Sequence, residues 1–181
     1  FFSKPKPEYE IMPSLVGSEM CIRDRAGTIT LPNEFFEKLL EYAARSLVVH
    51  GFTDIVFMGD SGGNQRGMEN VADQLNTLWQ GERARVHFVP EYYSDNGFQE
   101  WLLEQGETEE TIGTHAGIRD TSQLWAVAPE HVRPALMAPN GGMDDSGVRG
   151  DPTRASIEYG RMGIQLKVET AGREIRVARG R

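Results

Sequence analysis

The sequence predicts an α/β protein with a mostly parallel sheet covered by helices. Two short apolar runs, residues 53–58 (TDIVFM) and 84–90 (ARVHFVP), are typical of buried strands. Each run follows a segment in which apolar residues recur at helical spacing. Helices that alternate with strands favour a parallel sheet, and sites in such sheets lie in the loops after the strands. The segments that follow residues 58 and 90 are therefore the first places to search for function.

The first helix is predicted from its apolar face and from both of its ends. After a short extended piece (GTIT), Asn33 is a plausible N-cap. The residues that define the buried face are Phe36, Leu40, Ala43 and Leu47. Gly51 then suits the left-handed position that commonly ends a helix. The strand at residues 53–58 follows directly.

The second helix is predicted at about residues 68–79, after a glycine-rich turn. The turn is GDSGGNQRG, residues 59–67. The residues that define the helical face are Met68, Val71, Ala72, Leu75 and Leu78. Their spacing of three and four residues indicates one buried side.

The second half of the chain predicts three further helices. A short helix is predicted at residues 96–106, and a loop leads from there to a second helix at residues 120–128. A loop at residues 138–152 precedes a long polar helix, which runs to about Thr170 or beyond. Asp151 as N-cap and Pro152 as the first helical residue predict the start of that helix.

The composition is that of an ordinary globular chain of 181 residues, with 39% hydrophobic and 25% charged residues. The net charge of −8 disfavours nucleic acid and anionic membranes as partners. No apolar run approaches the roughly 20 residues of a membrane-spanning helix.

The first 25 residues are interpreted as a translated sequencing adapter, with the natural protein starting at about Ala26. Residues 15–24 (LVGSEMCIRD) correspond to one reading frame of a transposase-type adapter. Residues 4–11 (KPKPEYEI) resemble the translation of the flow-cell primer upstream of it. Such segments are excluded from reasoning about the fold, and the segment has no apolar core of a signal peptide. Because the single cysteine, Cys21, lies there, cysteine usage says nothing about the redox compartment.

The string GDSGG is best known around the nucleophilic serine of trypsin-like proteases. Those enzymes place a histidine and an aspartate before the serine on β-barrels, whereas GDSGG here lies between a predicted strand and a predicted helix. The α/β-hydrolase nucleophile elbow, G-x-S-x-G on a strand–turn–helix, matches Gly59, Ser61 and Gly63. A serine hydrolase that uses Ser61, with Asp95 and His115 or His131 as partners, therefore stays open as an alternative.

Three segments together resemble the creatininase (creatinine amidohydrolase) family. HGFTDIVFMGDSGGN, residues 50–64, is similar to the family's helix ending in HGF, a strand, and NGHGGN or GDHGGN. Residues 114–134 (THAGIRDTSQLWAVAPEHVRP) resemble its HAG segment, which is followed by ETS. Residues 146–161 (SGVRGDPTRASIEYGR) resemble its GV-x-GDP-x-x-A-S stretch. The three matches occur in the family's order.

The resemblance implies a three-layer α/β fold, a mostly parallel sheet with helices on both faces, incomplete at the N-terminus. Residues 26–181 would form the C-terminal part of this domain. It further implies a binuclear zinc or manganese centre, which activates water against the C–N bond of a small cyclic or linear amide. A small-molecule substrate and a ring-like homo-oligomer are the implied partners. The family's EQHG ligands do not occur in this sequence and belong N-terminal to residue 26.

The resemblance also implies roles for individual residues. His115 matches the catalytic histidine, and Asp120 matches the metal-binding glutamate of ETS, although an aspartate there is equally natural as a helix N-cap. Ser61 falls on a metal-binding histidine, and a hydroxyl is a poor ligand beside imidazole. Asp60 could bind metal, but a neighbouring position points elsewhere. The residues that match as a tight turn beside the site are Gly62, Gly63 and Asn64.

Three functions therefore remain open. The first is a metal-dependent amidohydrolase with His115 as acid and base and Asp120 as ligand, weakened by the missing ligands. The second is an inactive homologue or a small-molecule-binding subunit. The third is the serine hydrolase. His87 is expected to be structural, and His131 to lie at the surface. The three tryptophans are expected to serve packing, and the paired aspartates at residues 144 and 145 to be solvated.

Overall fold

The computed structural model describes residues 14–16, 28–138 and 147–180. The predicted adapter segment lies outside the described residues, apart from one short strand. The paired aspartates at residues 144 and 145 also lie outside them.

The described strands form two parallel pairs. β1 (Ser14–Val16) pairs with β2 (Thr28–Thr30). β3 (Asp54–Phe57) pairs with β4 (Arg85–Phe88), in a register that sets Ile55 opposite Val86. The parallel pairing that the alternation predicts is therefore present. The full three-layer sheet with helices on both faces stays a prediction.

Two helices pack against the β3–β4 pair and build the first core. α1 spans Asn33–Val49 and α2 spans Gly62–Leu78. The buried side chains of this core are Ala44, Ile55, Phe57, Met68, Val71, Ala72, Leu75 and Val86. Every buried residue that α2 contributes belongs to the apolar face read from the sequence. The burial of that face holds the carboxyl ends of β3 and β4 at one edge.

Four helices build the second core, on the other side of the site. They are α3 (Phe98–Glu104), α4 (Glu109–Ile112), α5 (Ile118–Val127) and α6 (Ile157–Ala178). Phe98, Leu102, Ile112 and Ile118 are each at most 1% exposed and form its centre. α5 and α6 approach so closely at Gly160 that a Cβ atom there would lie 1.9 Å from the Ser122 carbonyl oxygen.

Several predicted helix starts are wrong, each because a neighbouring residue takes the capping position. α1 begins at Asn33 itself, with Pro32 at the N-cap position. Asp151 caps a short 3-10 turn, Pro152–Arg154, by accepting the Thr153 N–H. The long helix starts later, because the Ser156 side chain accepts the Tyr159 N–H and so caps α6. α6 then extends to Ala178, in agreement with a predicted end at about Thr170 or beyond.

The second helix and the helix after the HAG segment also start earlier than predicted. α2 begins at Gly62 rather than at about Met68, so the glycine-rich turn is shorter than its composition indicates. α5 begins at Ile118, which makes Asp120 its third residue and not its N-cap. Gly51 has φ +90°, as the predicted left-handed helix end requires.

Candidate functional site

One cavity of about 310 Å³ lies at the edge where β3 and β4 end. The β3–α2 turn contributes residues 60–63, and the segment after β4 contributes Tyr93, Asn96 and Phe98. Residues 114–115, α5 and α6 close the remaining sides. A cavity of this size and polarity, at the carboxyl edge of parallel strands, suits a small molecule.

The turn after β3 is held by one glutamine and by close packing at its glycines. Gln65 Nε2 donates to the carbonyl oxygens of Gly59 (2.9 Å) and Ser61 (2.8 Å). A Cβ atom at Gly62 would lie 2.8 Å from the Tyr93 hydroxyl. The glycine therefore lets the segment after β4 approach the start of α2, which narrows the cavity at this point.

The segment that carries His115 is fixed on both sides. His115 pairs with Arg149 in an antiparallel bridge, in which the Arg149 N–H donates to the His115 carbonyl oxygen at 2.8 Å. The next residue, Ala116, has φ +50°, a left-handed conformation that is unfavourable for alanine. Asp120 Oδ2 accepts the Ala116 N–H at 2.7 Å, and the Thr121 hydroxyl donates to the Ala116 carbonyl at 3.1 Å. These bonds hold the strained turn and thereby set the position of His115 at the cavity.

An ion pair between Asp60 and Lys167 links the β3–α2 turn to α6. Lys167 Nζ lies 2.6 Å from Asp60 Oδ1 and 2.8 Å from Oδ2. The lysine side chain is only 8% exposed, whereas the aspartate side chain is 54% exposed. The ammonium group also lies over the Tyr92 ring, 5.1 Å from its centre. Burial, together with the negative charge of Asp60, raises the pKa of the Tyr92 hydroxyl above its usual value.

A second ion pair joins a buried carboxylate, Glu107, to the half-exposed guanidinium of Arg154. The Glu107 side chain is 4% exposed and accepts hydrogen bonds from Arg154 Nε (2.6 Å) and Nη2 (3.0 Å). Thr111 and Tyr159 donate further hydrogen bonds to it. The Arg154 guanidinium is the main cause that holds the pKa of Glu107 below its usual range. This cluster joins the start of α4 to α6 and to the segment that pairs with His115.

Ser61 does not have the geometry of a nucleophile elbow. An elbow presents the serine hydroxyl to solvent on a sharp, strained turn. Ser61 has ordinary extended backbone angles (φ −134°, ψ 129°). Its Oγ is shielded from solvent and hydrogen-bonds with no residue in the described part of the chain. His115 lines the same cavity but does not hydrogen-bond with this hydroxyl.

The described residues do not fit a metal centre by themselves. Both carboxylate oxygens of Asp60 already bond with Lys167, and Ser61 offers only a hydroxyl. His115 and Asp120 remain, and two side chains are fewer than the three protein ligands of a catalytic zinc site. Across residues 28–138 and 147–180, no cluster of three His, Cys, Asp or Glu side chains could hold a metal ion. Asp120 as a metal ligand stays a prediction.

The structure brings together most of the residues that the sequence singled out. Those that line the cavity are Asp60, Ser61, Gly62, Gly63, His115 and Asp120. Asn64 lies one position beyond them in α2. His131 is exposed and lies in a separate groove, and His87 bonds with Asp54 across the two strands, at 3.1 Å.

Sequence reasoning missed six charged or polar side chains of the cavity: Tyr93, Asn96, Thr114, Arg119, Gln123 and Lys167. A signal for Lys167 exists in the spacing of α6. The residues of this helix that are buried are Gly160, Gly163, Lys167, Thr170 and Ala171. Lys167 continues a face of small residues at helical spacing, and a charged residue on such a face indicates a buried partner.

The fold and the cavity define an α/β protein with a polar cavity at the carboxyl edge of parallel strands. The family model described as Creatininase, creatinine amidohydrolase, matches residues 12–175. The chain belongs to the creatininase family, as the three sequence segments predict. The comparison with curated protein sequences finds no significant match.

Solved creatininase structures share the fold. A crystal structure of creatinine amidohydrolase superposes with a TM-score of 0.65 at 20% identity, over 84% of this chain and 66% of that chain. A manganese form of creatininase gives 0.64 at 20% identity, over 84% and 66%. A glutamate-to-glutamine variant of creatininase in complex with creatine gives 0.63 at 20% identity, over 86% and 68%. This chain therefore spans about two thirds of the length of these proteins.

No described helix has the length and apolar character needed to cross a membrane.

Proposed function

We propose that this chain hydrolyses the C–N bond of a small cyclic or linear amide in the cavity between β3, β4, α5 and α6. Membership of the creatininase family supports amide hydrolysis as the reaction class. The observation that carries the proposal is the fixed position of His115, held at the cavity by a strained turn. Strained backbone at a cavity is typical of groups whose position matters for function.

In this proposal His115 moves the proton that amide hydrolysis requires. Water forms a bond to the carbonyl carbon while His115 accepts one of the water protons. The histidine then donates a proton to the amide nitrogen as the C–N bond breaks, which leaves a carboxylic acid and a protonated nitrogen group, in two molecules for a linear amide and in one for a cyclic amide. Asp120 acts on this step through the backbone, because its carboxylate holds the Ala116 N–H and so the direction of the histidine. Proton transfer by a positioned histidine accelerates such reactions by about 100-fold or more.

The charges of the cavity support a neutral or zwitterionic substrate. Asp60 and Asp120 supply two negative charges, and Arg119 and Lys167 supply two positive ones. The creatine complex of the related variant is consistent with a ligand of this kind, and creatinine is one candidate among small amides. A homo-oligomer remains a prediction.

The test compares His115→Asn with His131→Asn in the full chain. The assay follows C–N bond cleavage in a panel of small amides that includes creatinine, by amine release for linear amides and by the ring-opened product for cyclic ones, and calorimetry measures the binding of the same amides. We expect His115→Asn to lower kcat at least about 100-fold with little change in Kd. The control His131→Asn removes an exposed histidine outside the cavity and should change neither constant.

Other results would reject the proposal in recognisable ways. Equal kcat values for wild type and His115→Asn would exclude the proposed proton transfer. Amide binding without C–N bond cleavage would instead identify the chain as a small-molecule-binding homologue. A wild-type chain that neither binds nor cleaves any amide of the panel would exclude both.

A further inference from the structure

The most unusual group in the cavity is the buried ammonium of Lys167. The whole residue is 6% exposed, and lysine is almost never buried to this degree without a partner. Its carboxylate partner, Asp60, is itself more than half exposed to solvent. The protein thus buries the cation and leaves the counter-charge near water. A pair that served only to join α6 to the β3–α2 turn would gain little from this arrangement, because desolvating a charge is costly.

The ammonium group retains hydrogen-bonding capacity towards the cavity. It has three N–H donors, and the two oxygens of Asp60 account for two of them. Among the described residues, the ammonium group otherwise interacts only with the face of the Tyr92 ring. The third donor therefore suits a hydrogen-bond acceptor on a bound molecule.

We propose that Lys167 takes the place of a divalent metal ion in this cavity and donates a hydrogen bond to the carbonyl oxygen of the bound amide. This inference rests on the proposed amide hydrolysis. Asp60 and Tyr92 hold the ammonium group from two sides, and the donated bond polarises the carbonyl for attack by water. Amide binding then requires no metal ion.

The possible metal ligands in the turn after β3 also favour the lysine ammonium group over a divalent metal ion. Asp60 is the one carboxylate in the turn after β3, and its two oxygens are within 2.8 Å of the ammonium group. A divalent ion on the same carboxylate would lie a few ångströms from a buried positive charge, which is strongly unfavourable at low dielectric. Ser61 adds no strong ligand that could offset this repulsion.

The experiment measures amide binding by the metal-free full chain. The protein is dialysed against a chelator, and its metal content is checked by elemental analysis. Calorimetry then screens the panel of small amides, creatinine included, before and after addition of Mn²⁺ or Zn²⁺. The variants are Lys167→Met and the matched control Lys38→Met. Lys38 is also paired with a carboxylate, at 2.8 Å from Glu41, but its side chain is 62% exposed and lies on α1, outside the cavity.

We expect the metal-free wild type to bind an amide, and we expect Lys167→Met to weaken the Kd about 10- to 100-fold. Lys38→Met should leave the Kd unchanged. Binding that appears only after Mn²⁺ or Zn²⁺ is added would overturn the inference and leave the proposed hydrolysis standing. An unchanged Kd in Lys167→Met, even with lower thermal stability, would also overturn it by assigning the pair a structural role. Failure to bind any amide with or without metal would reject the proposed function itself.

A second measurement keeps the inference testable if Lys167→Met does not fold. A crystal structure of the metal-free wild type with the bound amide should place the carbonyl oxygen within about 3.2 Å of Lys167 Nζ. A carbonyl oxygen beyond hydrogen-bonding distance of this atom would overturn the inference.

Discussion

The contact between α5 and α6 at Gly160 makes the sharpest prediction about stability. Ordinarily, Gly→Ala inside a helix stabilises the protein by up to about 1 kcal/mol. At Gly160 the added Cβ would lie 1.9 Å from the Ser122 carbonyl oxygen and 2.5 Å from its carbonyl carbon. Real Cβ atoms essentially never approach another atom within 3.0 Å, so the two helices would have to separate by about 1 Å. Because the clash involves backbone atoms of a residue that is 0% exposed, no side-chain rotation relieves it.

The expected cost of Gly160→Ala is about 3 kcal/mol of unfolding free energy, the upper end of the range for overpacking. For a protein of this size, each kcal/mol lowers the melting temperature by about 2–4 °C, so we expect a decrease of about 6–12 °C. α5 also carries Arg119 and Asp120, so amide binding should weaken in the same variant. Urea unfolding and calorimetric melting measure the first effect, and calorimetric titration measures the second.

Gly172→Ala on the same helix is the matched control. A Cβ atom at Gly172 would meet only the flexible Arg176 side chain, at 3.4 Å, which is an ordinary contact. This variant should keep the wild-type melting temperature or raise it slightly. Equal melting temperatures for the two variants would refute the inferred close approach of α5 and α6, since both change the same residue type on one helix.

Two further predictions concern a buried carboxylate and the serine of the turn. Glu107→Gln should lower the free energy of unfolding by about 1.5–3 kcal/mol at neutral pH, because the charge-assisted bonds with Arg154 are lost. The loss stays within this range because the Arg154 guanidinium is half-exposed and remains solvated. The folded pKa of Glu107 is lowered, so its stabilising contribution is complete above the unfolded pKa of about 4.3 and is lost as the pH falls through the folded value. Urea unfolding of both proteins between pH 3 and pH 7 should show that difference shrinking at acid pH, and a constant difference would contradict the assignment. Ser61→Ala should lower kcat/KM by less than about tenfold, because the hydroxyl has no hydrogen-bond partner among the described residues, whereas loss of a nucleophile would lower it by several orders of magnitude.

Of the two helices in the first core, α2 was predictable because local and tertiary signals agree there. The predicted face of α1 is wrong at Ala43 and Leu47, which are exposed, because the helix turns Ala44 and Val48 towards the core instead. In α2, the residues Met68, Val71, Ala72 and Leu75 recur at helical spacing, and all four are buried. The spacing of apolar residues in the sequence indicates which face of α2 is buried, and the burial of that face stabilises the helix.

The start of α2 could not be predicted because its glycines serve packing. Local propensity counts Gly62 and Gly67 as helix breakers. In the structure a Cβ at Gly67 would lie 2.9 Å from the Phe36 ring, and one at Gly62 would lie 2.8 Å from the Tyr93 hydroxyl. The two glycines let α1 and the segment after β4 approach the helix. Tertiary packing therefore outweighs the low helix propensity of these glycines, and the local sequence does not indicate that packing.

Only those parts of the site whose residues are neighbours in the sequence could be predicted. The turn after β3 and the segment around His115 were each recognisable, since their residues are neighbours in the chain. Lys167 lies 107 residues from Asp60 in the sequence, so no local pattern joins the two residues. The small-residue face of α6 shows that position 167 is buried, but only the folded chain shows which carboxylate it meets.

Two departures from the expected site have a single physical explanation if Lys167 replaces a metal ion. A hydroxyl at position 61, where the family resemblance implies an imidazole ligand, weakens any metal centre in the turn. A buried ammonium on the neighbouring carboxylate would repel a metal ion even if another ligand were supplied. Either the serine at position 61 or the buried lysine at position 167 would by itself weaken a metal site. Together they replace the metal ion with an ammonium group. Lys167 then supplies the positive charge that balances Asp60 and polarises the carbonyl group. Restoring only the ligand, by Ser61→His, should therefore not recruit Mn²⁺ while Lys167 is present, and elemental analysis of the purified variant measures this directly.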